Sequence, residues 1–247
     1  ILKLWSVPPL DGSADASAVA PRLVLKMAGH TGPIVSTLGH DDGLLSTSFD
    51  GCLRHWDWTG KALGEFDAHA GHACGLARAA HTGLVYTGGD DGHVLQWDLR
   101  VGKVGCGTLD MSSRRIDGPV WSLDVRENML VSGATDGSLN IWDVRRFEAG
   151  PHMTLRDAHD DAIAGLVIVD SGRTIVTSSF DSTVKLWNAP EVQPVGDQHN
   201  AFADNLRATL AAPHLSRCTR VACNDSQRIV VGSLLGCHGK PLLVMDF

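Results

Sequence analysis

The sequence predicts an all-β protein built from a repeated antiparallel unit, and two observations support this prediction. Four tryptophans recur at intervals of 41, 45 and 45 residues, and each lies six residues after an aspartate; they are Trp56, Trp97, Trp142 and Trp187. A repeat of about 40 to 45 residues is typical of the four-stranded blades of a β-propeller.

Each tryptophan ends a window that has the same internal spacing. A hydroxyl residue lies four positions before the aspartate, and three of the four aspartates precede glycine. Because Asp-Gly favours tight turns, each window is predicted to be two antiparallel strands joined by a turn. The windows contain Ser46, Asp50 and Trp56; Thr87, Asp91 and Trp97; Ser132, Asp136 and Trp142; and Thr177, Asp181 and Trp187.

Further strands are predicted on both sides of a histidine that lies upstream of three windows. These histidines are His30, His69 and His159, and each is followed by a short apolar segment such as residues 33–35. Apolar stretches also precede them, as at residues 23–25 and 153–155. Each repeat therefore contains about four short strands, which is the number in a propeller blade.

The windows and their upstream histidines resemble the WD-repeat (WD40) family over nearly the whole chain. The resemblance implies that a histidine, a hydroxyl, an aspartate and a tryptophan form one hydrogen-bonded network inside each blade. A buried polar group left without a partner costs about 1–3 kcal/mol, so such a network would hold the strands in register. The network residues implied are His30, Ser46, Asp50, Trp56, His69, Thr87, Asp91, Trp97, Ser132, Asp136, Trp142, His159, Thr177, Asp181 and Trp187.

Two repeats depart from this pattern. In the third repeat Ile116 takes the place of the histidine, which predicts a weaker polar network in that blade. A fifth repeat is more degenerate, because Val231 and Met245 stand where the hydroxyl residue and the tryptophan belong.

The beginning of the chain predicts a propeller that is incomplete at its N-terminus. Residues 1–5 have the pattern of the third strand of a blade whose first two strands are absent. Residues 1–247 are therefore predicted to form a single propeller domain with about five to six visible blades, part of a seven-bladed ring. In the alternative, residues 22–28 close the last blade as its outer strand, which leaves the first five residues unexplained.

Composition narrows the classes of function. The formal net charge of -7 and the pI near 5.9 argue against direct nucleic-acid binding, which needs basic clusters. No apolar run approaches the 18 residues expected of a membrane helix, so membrane insertion is not predicted. Six cysteines without a C-x-x-C spacing indicate reduced thiols and an intracellular location, in cytoplasm or nucleus, with an organelle left open.

No enzymatic activity, metal or cofactor is predicted. The histidine, serine and aspartate of the first repeat are the residue types of a hydrolase triad, but the set recurs with threonine in place of serine. His69, His72 and Cys74 are three potential zinc ligands within six residues, although His69 is already assigned to a blade network. No phosphate-binding loop and no dinucleotide fingerprint occurs.

Function is then expected on the surface of the ring. Candidate features are the Pro/Ala/Ser-rich stretch 7–21, the long connection 189–205, and Arg100 and Arg145, which each follow a Trp-Asp-x sequence. That pair looks like the Trp-Asp-x-Arg box of substrate receptors for cullin-RING ubiquitin ligases, in which the arginine contacts an adaptor. Two strand positions, His55 and Gln96, are polar where other repeats are apolar; partial exposure or a paired histidine would explain this.

Three functional hypotheses follow. The first is a noncatalytic scaffold that binds other proteins within a stable multiprotein complex. The second is a ubiquitin-ligase substrate receptor that acts through the paired arginines. The third is an RNA-associated propeller of a ribonucleoprotein.

Overall fold

The computed structural model describes residues 1–6, 21–99, 118–169, 172–190, 206–211, 215–223, 228–236 and 242–246. These residues form antiparallel sheets that follow one another along the chain, so the fold is an all-β propeller of blades. Among them, no helix is long and apolar enough to cross a lipid bilayer.

The sheets are numbered as blades in chain order. A partial blade contains β1 (Leu2–Ser6) and β2 (Arg22–Met27). Blade 1 contains β3 (Ile34–His40), β4 (Gly43–Ser48), β5 (Cys52–Asp57) and β6 (Ala62–Asp67). Blade 2 contains β7 (Ala73–Arg78), β8 (Val85–Gly89) and β9 (Val94–Trp97). Blade 3 contains β10 (Val120–Arg126), β11 (Met129–Ala134), β12 (Leu139–Asp143) and β13 (Met153–Leu155), with a short 3-10 helix at Val144–Ala149. Blade 4 contains β14 (Ile163–Val169), β15 (Thr174–Ser179), β16 (Thr183–Asn188) and β17 (Leu206–Ala211). Blade 5 contains β18 (Leu215–Cys223), β19 (Arg228–Gly236) and β20 (Leu242–Asp246).

The sequence repeat and the blade are offset by one strand. The strand that precedes each histidine in the sequence pairs with the third strand of the blade before it, as β6 pairs with β5 and β13 with β12. At the start of the chain, β2 pairs in the same way with β1. Each repeat thus closes the previous blade before it begins its own, which links neighbouring blades covalently.

The predicted hairpins are present, and the aspartate of each turn positions it. In blade 1, Asp50 Oδ1 accepts a hydrogen bond from the backbone N–H of Cys52 at 3.1 Å. Gly51 has φ +80°, a left-handed conformation that glycine adopts without the penalty of a side chain. The carbonyl of Gly51 accepts from the N–H groups of Ala68 and His69, so the turn also holds the loop that leads to blade 2.

The apolar core lies between neighbouring blades. Trp97 packs with Leu45 and Leu53 of blade 1, and Trp187 packs with Val131 and Ile141 of blade 3. Each of these tryptophans therefore seals its blade against the preceding one. The first strands of blades 1 to 5 lie side by side and line a cavity of about 50 Å³ that includes Ser36, Gly75, Trp121, Gly165 and Val221.

The fifth repeat has the register expected from its sequence. Met245 on β20 pairs with Ile229 on β19, as Trp142 on β12 pairs with Leu130 on β11. Val231 lies two residues beyond Ile229, in the position that Ser132 occupies in blade 3. The degenerate repeat therefore keeps the strand pairing of a blade while its residues depart from the polar pattern.

Candidate interaction face

The network residues of blade 1 lie in one hydrogen-bonded chain. His30 Nδ1 is 2.9 Å from Asp50 Oδ2, and His30 Nε2 is 2.7 Å from Ser46 Oγ. The indole N–H of Trp56 donates to the same Ser46 Oγ at 2.9 Å. Because the carboxylate only accepts, His30 donates from Nδ1, its Nε2 accepts the serine proton, and the serine oxygen accepts from the indole.

Blades 2 and 4 contain the same arrangement. The histidine Nδ1 to aspartate distances are 2.9 Å for His69 and Asp91 and 2.7 Å for His159 and Asp181. Burial raises the pKa of each aspartate, but the hydrogen bonds from the histidine and from backbone N–H groups outweigh it and leave the pKa well below its usual value. The remaining contacts are His69 Nε2 to Thr87 Oγ1 at 2.9 Å, Trp97 Nε1 to Thr87 Oγ1 at 2.9 Å, His159 Nε2 to Thr177 Oγ1 at 2.7 Å and Trp187 Nε1 to Thr177 Oγ1 at 3.0 Å.

Blade 3 shows a shorter network within the described residues. Trp142 Nε1 donates to Ser132 Oγ at 3.0 Å, and Asp136 Oδ1 accepts from the N–H of Ser138 at 2.9 Å. Ile116, which stands at the histidine position of the sequence, lies outside the described residues.

The geometry of these sets does not suit nucleophilic catalysis. The hydroxyl residues Ser46, Thr87 and Thr177 are completely buried, and each hydroxyl accepts from an indole N–H. A nucleophile must reach its substrate, so these oxygens are placed to join strands.

The three residues considered as zinc ligands each contact an aspartate: His69 contacts Asp91, whereas His72 and Cys74 both contact Asp90. His69 belongs to the blade 2 network, and His72 Nδ1 lies 2.7 Å from Asp90 Oδ2. The Sγ of Cys74 is 3.9 Å from Asp90 Oδ1, a contact typical of a weak thiol hydrogen bond. Within the described part of the chain, no group of three or more metal-binding side chains converges.

Arg145 is held by a neighbouring acid. Its Nε and Nη2 donate to the two carboxylate oxygens of Asp143 at 2.8 and 2.7 Å. This bidentate pair holds the pKa of Asp143 below its usual value through the side-chain hydrogen bond of Arg145. Arg100, the other arginine of the proposed box, lies outside the described residues, as do residues 7–20 and 191–205 of the two long connections.

Sequence reasoning missed an aromatic cluster that crosses four blades, which we call the rim cluster: Phe49, His72, Asp90, Trp121 and Phe180. The Phe49 and His72 rings stack with centroids 4.0 Å apart, and His72 binds Asp90. The indole N–H of Trp121 donates to Asp90 Oδ1 at 3.1 Å, and the Trp121 and Phe180 rings meet edge to face at 5.6 Å.

Backbone geometry places these side chains on one face. Phe49, Asp90 and Phe180 each directly precede a turn aspartate, and the N–H of each donates to a carbonyl just before the first strand of its blade. Trp121 is the extra residue of a β-bulge between Val120 and Ser122, and bulges redirect side chains. The signal in the sequence was the residue before each turn aspartate, which is aromatic in two of the four windows.

The face that carries the rim cluster is the one on which the aspartate turns and the histidine loops lie. We call it the turn face: residues 28–33, 48–51, 68–72, 89–93, 118–119, 134–138, 156–162 and 179–182. Phe49 is 44% exposed there, and the side chain of His72 is 46% exposed. The exposed part of the cluster is therefore available to a partner.

A family model described as WD domain, G-beta repeat matches residues 21–57, 60–98, 112–143 and 150–188, together more than half of the chain. The chain belongs to the WD40 repeat family. The four matches correspond to the four tryptophan windows, and the degenerate fifth repeat is outside them. WD40 repeats imply a scaffold for protein interactions and are generally noncatalytic.

Similar curated proteins share the repeats over a small part of their length. Telomerase protein component 1 of Mus musculus is 30% identical over 132 residues, which is 52% of this chain and 5% of that protein. Protein HIR1 of Cryptococcus neoformans is 28% identical over 197 residues, 77% of this chain and 18% of that protein. The chain thus spans less than a fifth of the length of these relatives.

A solved structure supports the fold. The computationally designed Ika8 protein superposes with a TM-score of 0.64 at 22% identity, covering 91% of this chain and 62% of that one. At this level of identity the likeness shows the arrangement of blades alone.

Proposed function

We propose that this WD40 propeller is a noncatalytic interaction module that binds another protein through its turn face, within a larger assembly. The observation that carries the proposal is the rim cluster, in which side chains from four blades form one partly exposed surface. Aromatic side chains are enriched in protein interfaces, because they bury a large area at a small cost in side-chain entropy.

Two further facts support a binding role rather than a catalytic one. The triad-like residues are committed to buried hydrogen bonds, whereas the Phe49 ring of the rim cluster is 44% exposed. One of the relatives is named a telomerase protein component, which is consistent with work as part of an assembly.

The test is affinity purification of the tagged full-length protein from cells, with quantitative mass spectrometry. We expect proteins recovered with the wild type to be lost from the double variant Phe49→Ala and Phe180→Ala. The matched control is Trp58→Ala, because Trp58 is 47% exposed in the turn between β5 and β6, at the opposite end of the blade. Equal recovery by the double variant and the control would contradict the proposal.

The same purification separates the other two functions. A ubiquitin-ligase receptor would recover an adaptor and a cullin, and would lose both in the variant Arg100→Ala and Arg145→Ala. A ribonucleoprotein subunit would lose its partners after nuclease treatment and at high salt. Either result would replace the binding mode proposed here.

A further inference from the structure

Blade 3 holds the first strand of blade 4 at two points. The Oγ of Ser122 donates a hydrogen bond to the carbonyl oxygen of Ile163 at 2.9 Å, and the N–H of Ile168 donates to Asp124 Oδ2 at 2.6 Å. Ser122 and Asp124 both lie on β10, whereas Ile163 and Ile168 lie near opposite ends of β14. We call Ser122 and Asp124 the seam clamp, because they bridge the seam between the first strands of the two blades.

The neighbouring blades do not have the side chains for such a clamp. The strand pairing aligns the two clamp positions between blades, because each first strand has a β-bulge just before the first position. In blades 2 and 4 neither position has a side chain that can form a hydrogen bond, and in blade 1 only the first position is polar. The aligned pairs are Ser36 and Leu38 in blade 1, Gly75 and Ala77 in blade 2, and Gly165 and Val167 in blade 4.

The seam also depends on close packing at Gly133. A methyl group there would lie 2.5 Å from Ile163 Cγ2 and 2.6 Å from Ser122 Oγ, so the glycine leaves the space in which blade 4 approaches blade 3. Ile163 and Ile168 are both buried. Their backbone groups therefore have little access to water that could replace the bonds of the clamp.

An aspartate in this seam has an energetic cost. Burial raises the pKa of Asp124. The hydrogen bonds from the Ile168 and Val125 N–H groups lower it, as does the charge of Arg126, but the effect of burial prevails. An ionised carboxylate loses hydration here, whereas the apolar residues at the aligned positions have no such penalty. What the carboxylate adds is a specific bond to blade 4, which an apolar side chain cannot make.

We propose that blades 3 and 4 open and close as a single unit, because the seam clamp couples their first strands. Proteins open locally in cooperative units, which often coincide with neighbouring structural elements that are held together. The unit carries Trp121 and Phe180, whose rings meet on the turn face at 5.6 Å. That contact therefore persists when other blades open. The coupling goes beyond the proposed binding role and does not depend on it.

The test is hydrogen exchange of the purified full-length protein at low, increasing urea concentrations, followed by mass spectrometry with residue-resolved fragmentation. Peptides from β10–β11 and from β14–β15 are expected to share one free energy of opening and one dependence on urea. Peptides from β3–β4 of blade 1 are expected to open separately. Different opening free energies in blades 3 and 4 would overturn the proposal, and so would a single opening shared by all three blades.

Substitutions at Asp124 test the clamp itself. Asp124→Leu introduces the residue type that blade 1 has at this position. It is expected to speed exchange of the Ile168 N–H about tenfold or more, since a hydrogen bond to a charged group is lost. Strands β14–β15 should then open separately from β10–β11. Asp124→Asn keeps an acceptor oxygen and should have a smaller effect. A folded Asp124→Leu protein with unchanged exchange at Ile168 would contradict the proposal.

A second substitution decides the question if Asp124→Leu does not fold. Ser122→Ala removes the other bond of the clamp and is expected to speed exchange in the first half of β14 about threefold or more. The matched control is Ser36→Ala, which removes the aligned hydroxyl of blade 1 and should leave exchange in β14 unchanged. Circular dichroism establishes that each variant is folded. If β14 responds equally to Ser122→Ala and Ser36→Ala, the clamp does not couple the two blades.

Discussion

His40 Nε2 and His55 Nε2 lie 3.1 Å apart, at the end of blade 1 opposite its aspartate turn. The N–H of Asp42 donates to His40 Nδ1 at 3.3 Å, which places the His40 proton on Nε2, facing His55. In blade 3 the position of His55 is taken by Ile141, which is completely buried against blade 4. At this one strand position, blade 1 therefore has a polar side chain and blade 3 has an apolar one.

This histidine pair predicts a loss of stability in mild acid. Burial and the nearby Arg78 lower the pKa of His40, against the opposing effect of Asp42 and Asp41. Burial and His40 lower the pKa of His55, and Arg78 adds to this, while Asp42 and Asp57 oppose it. Since the unfolded histidines take up protons near pH 6.5 and the folded ones only at lower pH, the free energy of unfolding should fall as the pH drops below about 6.5.

The measurement is the free energy of unfolding in urea between pH 7.5 and pH 5.5. His55→Leu removes the pair and introduces the apolar residue that Leu186 supplies in blade 4, so its pH dependence should be shallower. His81→Gln is the control, because His81 is exposed in the loop after β7 and should leave the slope unchanged. Identical slopes for the wild type and His55→Leu would show that the pair does not control this transition.

A matched pair of serines tests the contribution of the blade histidine. Ser46→Ala removes an oxygen shared by His30 and Trp56, whereas Ser132→Ala removes one that, among the described residues, serves Trp142. Both serines are fully buried, so the substitutions differ mainly in the number of ring partners. We expect Ser46→Ala to cost about 1–3 kcal/mol more, the value of one additional unpaired buried group. Chemical denaturation measures the free energy of unfolding of both variants. If the two variants lose the same amount, the hydrogen bond to His30 does not stabilise the protein.

The network aspartates predict a second loss of stability at lower pH. Burial raises the pKa of Asp181, but hydrogen bonds from His159 and Thr183 leave it well below the usual 3.8. A carboxyl whose pKa is lowered by folding stabilises the protein above about pH 4 and loses this contribution as the pH falls further.

Asp181→Asn should destabilise the protein by roughly 1–3 kcal/mol at neutral pH and flatten the decline below pH 4. Asp136→Asn is the control, because Asp136 lies in the same turn position of blade 3 and has no histidine partner among the described residues. Acid titrations followed by circular dichroism measure both. A decline as steep in Asp181→Asn as in the wild type would contradict the prediction.

Two glycines test how a turn joins one blade to the next. Gly137 has φ +81°, and a methyl group there would overlap the carbonyl oxygen of His159. Gly83 has a similar φ of +75°, but a methyl group would meet no atom closer than 3.6 Å. Gly83→Ala should therefore lower the free energy of unfolding by about 1–2 kcal/mol, because of the left-handed conformation alone. Gly137→Ala should lower it by more, because its methyl group also overlaps the carbonyl oxygen. Thermal unfolding of both variants measures the difference, and equal losses would show that the turn yields without disturbing blade 4.

Much of the fold was predictable because its signals are local. The spacing of Asp50 and Trp56 reflects a hairpin, in which the turn and the strand pair are determined by residues close in the chain. The sequence did not predict that each repeat begins one strand before its blade. A strand such as β6 could pair with the strand before it or with the strand after it, and its sequence is consistent with both. A paired histidine was one of the two explanations expected for His55. His55 does contact a histidine, His40, which lies two strands away and could not be named from the sequence.

The sequence by itself determined the blade type, the positions of the turns and the residues available to each network, since these follow from a repeat that every blade satisfies locally. Only the tertiary structure decided that Phe49, Asp90, Trp121 and Phe180 meet, because they come from four blades and approach one another when the first strands pack around a common axis. It also decided that Arg145 turns back to Asp143, since a flexible side chain pairs with whichever carboxylate the local backbone brings within reach.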